Sequence, residues 1–309
     1  MILKDNGRKR NTLEDTKKLI QSKATLIEDI IEKYLPAENG EACRVMEAMN
    51  YSVHVGGKRL RPMLMQETYK MFGGTGEVIE PFMAAIEMIH TYSLVHDDLP
   101  AMDNDEYRRG KKSTHAQFGH AMGILAGDAL LNYAFETALK AYDCEPGDKI
   151  IKALKVLSNK AGIYGMVGGQ VFDVESENLS KQNSLEEILF IHKLKTSALL
   201  QIAFMCGGGL AGASSKDIEL LSIIGENVGI AFQIKDDILD VIGSEELLGK
   251  PVGSDERNNK ITYVNLVGLE QAEKDVESYS KLAIDSFDML SEKNEFMRDL
   301  IISLVSREK

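Results

Sequence analysis

The chain has 309 residues, 44% hydrophobic and 27% charged, the balance of a globular protein long enough to bury a large core without disulfide or metal staples. Its net charge is −12, from 48 acidic against 36 basic residues. That excludes nucleic acid as the main partner and argues against an anionic membrane surface, because both call for a basic face. There is no Trp and only 6 Pro, a scarcity of helix breakers that favours long helices over a loop-rich sandwich.

Residues Met1 to Asn11 lack the apolar stretch of a signal peptide, so a cytoplasmic location is expected. Ile20, Ile27, Ile30, Ile31 and Leu35 recur at helical spacing and predict the first helix. A glycine patch, Gly73 to Gly76, predicts a loop before the largely apolar run Ala84 to Val95. Cys144 to Gly147 reads as a turn, and Ser176 to Ser184 as a polar loop. Leu185, Ile188, Leu189, Ala198, Leu199 and Ile202 return to helical spacing. Thr196 to Ser215 carries no charge, but its apolar block stops short of the roughly 20 residues a bilayer needs. A buried helix ending at a glycine-rich turn, Gly207-Gly208-Gly209, is expected there, and no membrane span. Leu220, Leu221, Ile224, Val228, Ala231, Phe232, Ile238 and Leu239 mark another long helix, and Gly243 to Asn259 a charged loop. The six prolines, at 36, 62, 81, 100, 146 and 251, fall near predicted helix ends. Cys43, Cys144 and Cys206 have neither zinc nor disulfide spacing and read as small core hydrophobes. Period-two alternation is nearly absent and no linker divides the chain. The expectation is a single all-α domain over residues 1–309, with ten or so helices.

Two acidic clusters carry the chemistry. His96-Asp97-Asp98-Leu99-Pro100-Ala101-Met102-Asp103 ends one apolar run, and Gln233-Ile234-Lys235-Asp236-Asp237-Ile238-Leu239-Asp240 ends another. Asp236 and Asp240 share a helix face with Gln233 a turn earlier. Pro100 disfavours helix at Leu99, so the chain should distort there and return Asp103 towards Asp97. Crowded carboxylates repel, and hard divalent cations such as Mg²⁺ offset that cost, sharing their shell with water and phosphate oxygens. Basic residues gather beside glycines in Gly56-Gly57-Lys58-Arg59-Leu60-Arg61-Pro62 and Arg108-Arg109-Gly110-Lys111-Lys112, with Lys195-Thr196 and the Lys250 to Lys260 stretch completing the set. Arginine and lysine next to glycine suit phosphate. Gly207, Gly209 and Gly212 match a dinucleotide fingerprint in spacing, but no strand precedes them. Mg²⁺-type clusters with separate basic patches, and no catalytic triad, imply phosphorylated substrates whose diphosphate is the leaving group.

In these motifs the chain resembles the trans-prenyltransferases of the polyprenyl synthetase family, of the bacterial farnesyl diphosphate synthase type. The resemblance also rests on His90 to Gly110, Gly165-Met166-Val167-Gly168-Gly169-Gln170, His192-Lys193-Leu194-Lys195-Thr196 and Lys250 to Tyr263. It implies the isoprenoid synthase fold, helices around a central cavity, and a homodimer. Asp97 and Asp103, with Asp98 close by, and Asp236 with Asp240 would bind Mg²⁺, more than one ion per site. Arg108, Lys195, Lys250 and Lys260 would hold an allylic diphosphate, and Lys58, Arg61, His90 and Arg109 isopentenyl diphosphate. Thr196, Gln233 and the backbone carbonyl of Lys195 would face the developing allylic cation. Tyr92, five residues before Asp97, would line the tail pocket and stop elongation at fifteen carbons. The activity implied is condensation of isopentenyl diphosphate with dimethylallyl and geranyl diphosphates to farnesyl diphosphate. The alternatives are a geranylgeranyl diphosphate synthase or a non-catalytic modulating subunit, while a terpene cyclase would not need Lys58, Arg61 and Arg109. Ser254 and Ser197 depart from the family pattern, with commonly lysine and glycine in their places.

Overall fold

Ile27 and Ile31 lie one turn apart and are both buried, so the first apolar pattern forms helix α1 (Leu13–Tyr34) with one face in the core. The chain is described by a computed structural model over residues 13–176, 184–242 and 261–305. After α1 come α2 (Cys43–His54), α3 (Leu60–Met71) and α4 (Glu80–Asp97). A two-residue antiparallel hairpin follows, β1 (Tyr107–Arg108) against β2 (Lys111–Lys112). The chain continues through α5 (Thr114–Phe118), α6 (His120–Leu139), α7 (Ala141–Cys144), α8 (Asp148–Ala161) and α9 (Met166–Ser176). Then come α10 (Leu185–Ile191), a π-wound segment (His192–Ser197), α11 (Ala198–Ala211) and α12 (Ser215–Ile242). The last elements are α13 (Tyr263–Val267), α14 (Leu269–Asp288) and α15 (Glu295–Val305). The all-α class expected from periodicity is the class observed, and the short hairpin is the only sheet among the described residues.

Two helices organise the core. In α4, Phe82, Met83, Ala84, Ala85, Ile86, Met88 and Ile89 are fully buried, because the helix is apolar on nearly every side and packs against α1, α3 and α6. Each such Ile, Met or Phe contributes about 1.5–3 kcal/mol of transfer free energy. α11 is the second, between α3, α8 and α12. Leu185–Ala211 is long and apolar enough to cross a membrane by length and composition, with mean hydropathy 1.3, but 61% of its apolar window is buried by its own neighbours, as in a core helix. A smaller apolar cluster joins Ile230, Ile234 and Ile238 of α12 to Ile188, Tyr263, Ala272 and Val276.

Chain punctuation follows side-chain chemistry. Ser184 and Glu187 form a reciprocal capping box at the start of α10, with Glu187 N donating to Ser184 Oγ at 3.2 Å and Ser184 N to Glu187 Oε2 at 2.9 Å. Pro81 sits in the first turn of α4, where its missing N–H costs nothing. Two sequence expectations are corrected. The run Gly207-Gly208-Gly209 is not a turn but lies inside α11. A Cβ on Gly207 would collide with Met65 O of α3, so the glycines allow two helices to approach closely, and the helix stops at Gly212, with φ +88°. Of the cysteines only Cys206 is a core residue; Cys43 is half-buried and Cys144, at the end of the short α7, is exposed. The loops expected at 176–184 and 243–259 lie almost wholly outside the described residues, as does Pro251.

Candidate active site

A cavity of about 720 Å³ opens along the inner face of α4. Arg61, His90, Tyr92, His96 and Asp97 line it on one side; Met166, Val167, Gln170 and Val171 of α9 face them, with Lys195, Thr196 and Leu199. α4 reaches it because the helix ends where the sequence said it must. Pro100 cannot extend the helix, and the chain turns so that Asp103 N donates to Asp97 O at 2.9 Å. The first aspartate cluster is thus folded back on itself as expected.

Asp97 is the hub of the anionic end. Its Oδ1 accepts from Gln170 Nε2 at 2.5 Å, and its Oδ2 lies 3.6 Å from Lys195 Nζ. Lys195 Nζ also donates to Asp173 Oδ2 at 2.6 Å. Burial raises the Asp97 carboxyl above the ordinary aspartate range; Lys195 pulls it back, and Asp103 and Asp173 push it up again. Asp98 departs from expectation. It does not line the cavity; it is 3% exposed and accepts two bonds from the Arg108 guanidinium, from Nε at 3.0 Å and from an Nη. Arg108, expected to hold diphosphate, is therefore engaged by Asp98, with Asp105 at 3.7 Å.

Lys195 and Thr196 sit in the π-wound segment, and their adjacency joins the two aspartate helices. Thr196 Oγ1 donates to Gln233 Oε1 at 3.0 Å, and Gln233 Nε2 to Asp237 Oδ1 at 3.4 Å on α12. Asp237 Oδ2 also accepts from Tyr263 N at 2.9 Å. Asp236 and Asp240 stand a turn apart near the end of α12, half-buried and buried respectively, and neither lines the cavity. The segment is wound with one extra residue per turn, a distortion that concentrates at functional sites. Ser197, a departure from the family pattern, has a local role in it: its hydroxyl reaches His192 O five residues back at 3.1 Å and Glu226 O of α12 at 3.0 Å. Sequence reasoning quoted Gln170 only as part of a motif and missed Asp173 and Asp237 as members of the network; the aspartates on helical spacing from the motif residues were the available signal.

The opposite end is cationic. Arg61 and His90 line the cavity, and the Arg109 guanidinium occupies the space above Gly57, where a Cβ would sit 2.7 Å from it. Burial pulls Arg61 down to about 10, with Glu87 opposing and Arg109 adding to the fall. Arg109 is lowered by burial as well. His90 is held well below the ordinary histidine range by burial and then by Arg61, Arg109, Arg108 and Arg59. Lys58 is exposed on the preceding turn. Between the two ends Tyr92 is 5% exposed; its hydroxyl makes no hydrogen bond, and burial and then Asp97 push it up to about 12. Lys250 and Lys260 lie outside the described residues.

A divalent cation fits the chemistry of the Asp97 end, where Asp97, Asp103 and Asp173 are half-buried and burial, together with the charges of Asp103 and Asp173, pushes the Asp97 carboxyl upward. Among the described residues no three acidic, cysteine or histidine side chains converge into a cage. Mg²⁺ requires none, since it binds through one or two carboxylates with water and substrate oxygens completing its shell.

Comparison with known proteins agrees with this geometry. A family profile described as "Polyprenyl synthetase" matches residues 43–300. A farnesyl diphosphate synthase of Micrococcus luteus is 45% identical over 282 residues, 91% of this chain and 94% of that one. A geranylgeranyl diphosphate synthase of Cyanophora paradoxa is 44% identical over 252 residues, 82% of this chain and 83% of its own. Among solved structures, a geranylgeranyl pyrophosphate synthetase of Pyrococcus horikoshii superposes with a TM-score of 0.85 at 32% identity, over 96% of this chain and 99% of that one. The chain belongs to the polyprenyl synthetase family.

Proposed function

We propose that this prenyl-elongating enzyme condenses isopentenyl diphosphate head-to-tail with dimethylallyl and then geranyl diphosphate, and stops at farnesyl diphosphate. The observation that carries this reading is one largely apolar cavity with Asp97 and Lys195 at one end and Arg61 and His90 at the other, His90 and Asp97 lying two turns apart on α4. Asp97 and Asp103, with Asp236 and Asp240 from α12, are the carboxylates that would hold Mg²⁺. Mg²⁺ held by them would supply neutralisation of the negative charge on the departing diphosphate. Asp98 holds Arg108 rather than a metal, and Lys195 supplies a further cation at the leaving group. Lys250 and Lys260 are proposed for the same diphosphate.

Arg61, Arg109, His90 and Lys58 bind the diphosphate of the isopentenyl unit, which needs no metal. When the allylic C–O bond breaks, the Thr196 hydroxyl and the Gln233 carbonyl oxygen turn partial negative charge towards the cation. The isopentenyl double bond attacks, the new C–C bond forms, and a proton leaves C2 to the released diphosphate. Met166, Val167, Val171 and Leu199 keep water from the cation.

The buried ring of Tyr92 favours fifteen carbons. A twenty-carbon product is the second reading, favoured by the similarity to the Cyanophora paradoxa synthase. The protein is further proposed to work as a cytoplasmic homodimer, a second copy covering exposed apolar side chains such as Ile124, Leu125 and Leu139 of α6. Purified protein given dimethylallyl and isopentenyl diphosphates with Mg²⁺ should yield a fifteen-carbon diphosphate. A purely twenty-carbon product would select the second reading, and absence of condensation would refute both.

A further inference from the structure

The turn from α2 into α3 carries Lys58 and delivers Arg61 to the cavity, but Arg59 between them points elsewhere. Arg59 is 5% exposed and is not part of the cavity wall. Its Nη1 donates to Glu87 Oε1 at 2.7 Å, its Nη2 donates to Val53 O at 2.8 Å, and its Nε lies 3.6 Å from Glu28 Oε1. One guanidinium thus ties the end of α2 to α4 and α1. Arg59 adopts φ +49°, a left-handed conformation costly for a residue with a side chain, which the surrounding contacts must hold in place. Glu87 is 3% exposed and stands one turn before His90 on α4. Its carboxylate also faces the charges of Arg61 and Arg109, opposing the fall that burial imposes on both.

A buried ion pair is weak evidence of stabilisation, because an apolar pair of similar volume commonly does as well. Its presence here beside a strained backbone and the cations assigned to isopentenyl diphosphate calls for another reason. We propose that Arg59 and Glu87 are a positioning pair that holds Lys58 and Arg61 in register with His90 for the diphosphate of the isopentenyl substrate. The pair touches no substrate; it acts through the turn it anchors and through the charge it places among the arginines. This rests on the assignment of the cationic end to isopentenyl diphosphate.

The test compares Arg61→Ala, Arg59→Lys and the apolar pair Arg59→Met with Glu87→Leu, each checked for a cooperative melt and assayed for KM of both substrates and kcat. Arg59→Lys keeps the charge and most of the volume but cannot span Glu87 and Val53 O together. It should raise KM for isopentenyl diphosphate about tenfold, with kcat and the allylic KM within about twofold. The apolar pair should melt near the parent temperature and show the same selective rise. If Arg61→Ala leaves the isopentenyl KM unchanged, the site assignment itself fails. If Arg61→Ala raises it while Arg59→Lys leaves it at the parent value, the positioning role is overturned and the assignment stands. A rise shared equally by both substrates also overturns it, since that reports general distortion, and Arg59→Lys decides alone if the apolar pair does not fold.

Discussion

The two ends of the cavity solve opposite electrostatic problems on one helix. Near the end of α4, Asp97 meets Asp103 and Asp173, and burial lifts its carboxyl above the ordinary range. Two turns earlier, burial and then the charges of Arg61, Arg109, Arg108 and Arg59 hold His90 well below the ordinary histidine range. Burial opposes the charged form at both ends, so the shifts have opposite signs for one physical reason. A ligand of opposite charge would relieve each end, a cation at one and an anion at the other. The ends also differ in wiring. Asp97 is met by side chains from α9 and the π-wound segment, Gln170 and Lys195, whereas Arg61 has a buried Nε without a partner. In the proposed reaction the anionic end is braced for a bond-breaking step, and the cationic end cradles a diphosphate that is carried unchanged into the product.

That contrast is broken most directly at Asp97. Asp97→Ala should lower kcat by about 10²–10³-fold or more, the scale for removing one preorganised electrostatic contact to a developing charge, while the isopentenyl KM moves far less. Steady-state kinetics at saturating Mg²⁺ would show it, and equal damage to the isopentenyl KM would erase the distinction between the ends. At the other end, Arg61→Ala should act in the opposite sense. Loss of a charge-assisted hydrogen bond of about 1.5–3 kcal/mol corresponds to about a 10–100-fold rise in KM for isopentenyl diphosphate, with a smaller change in kcat.

What was legible in the sequence follows the range of the interactions. Residue type and helical spacing placed Gln233, Asp236 and Asp240 on one face of a helix, and Pro100 gave the break that returns Asp103 to Asp97, because both are local effects. His90 and Asp97, seven residues apart on α4, share a face for the same local reason. The long-range partners were not. Gln170 meets Asp97 across 73 positions and Asp173 meets Lys195 across 22, and no local periodicity encodes either pairing. The π winding at His192–Ser197 escaped because it depends on packing against α12, where the Ser197 hydroxyl reaches Glu226 O and a Cβ on Gly229 would collide with Ser197. The glycine run of α11 was misread as a turn since local propensity favours one. Tertiary contact with α3 overrode it, the helix being held by close packing that only glycine permits.

Between the ends, Tyr92 tests how the cavity depth is set. Its ring stacks edge-on with His96, centroids 5.8 Å apart, and fills space beside Asp97. Tyr92→Ala should lengthen the product from fifteen towards twenty carbons, with total turnover within about fivefold of the parent, because the change touches tail binding more than the charged ends. Chromatography of the dephosphorylated products reads the result, and an unchanged fifteen-carbon profile would move the limit to another wall. Loss of the buried aromatic should also cost about 3–5 kcal/mol of stability, lowering the melting temperature.

The smallest expected effect is at His90, and it sharpens the contrast most finely. A histidine that binds phosphate as a cation would lose that charge as pH rises through its ordinary value of 6.5. Here burial and four arginines favour the neutral ring, so His90 should enter the site as an uncharged N–H donor across the working range. Glutamine keeps an uncharged N–H donor of similar reach. His90→Gln should therefore raise the isopentenyl KM by no more than about threefold, the loss expected when one neutral hydrogen bond of about 0.5–1 kcal/mol is weakened rather than removed. The KM-versus-pH curves of parent and variant should run parallel between pH 6 and 8, both following only the ionisation of the substrate. If the parent instead binds progressively better below pH 6.5 while the glutamine variant does not, the ring is protonated when substrate arrives. The cationic end would then gain a charge that its arginines were thought to exclude.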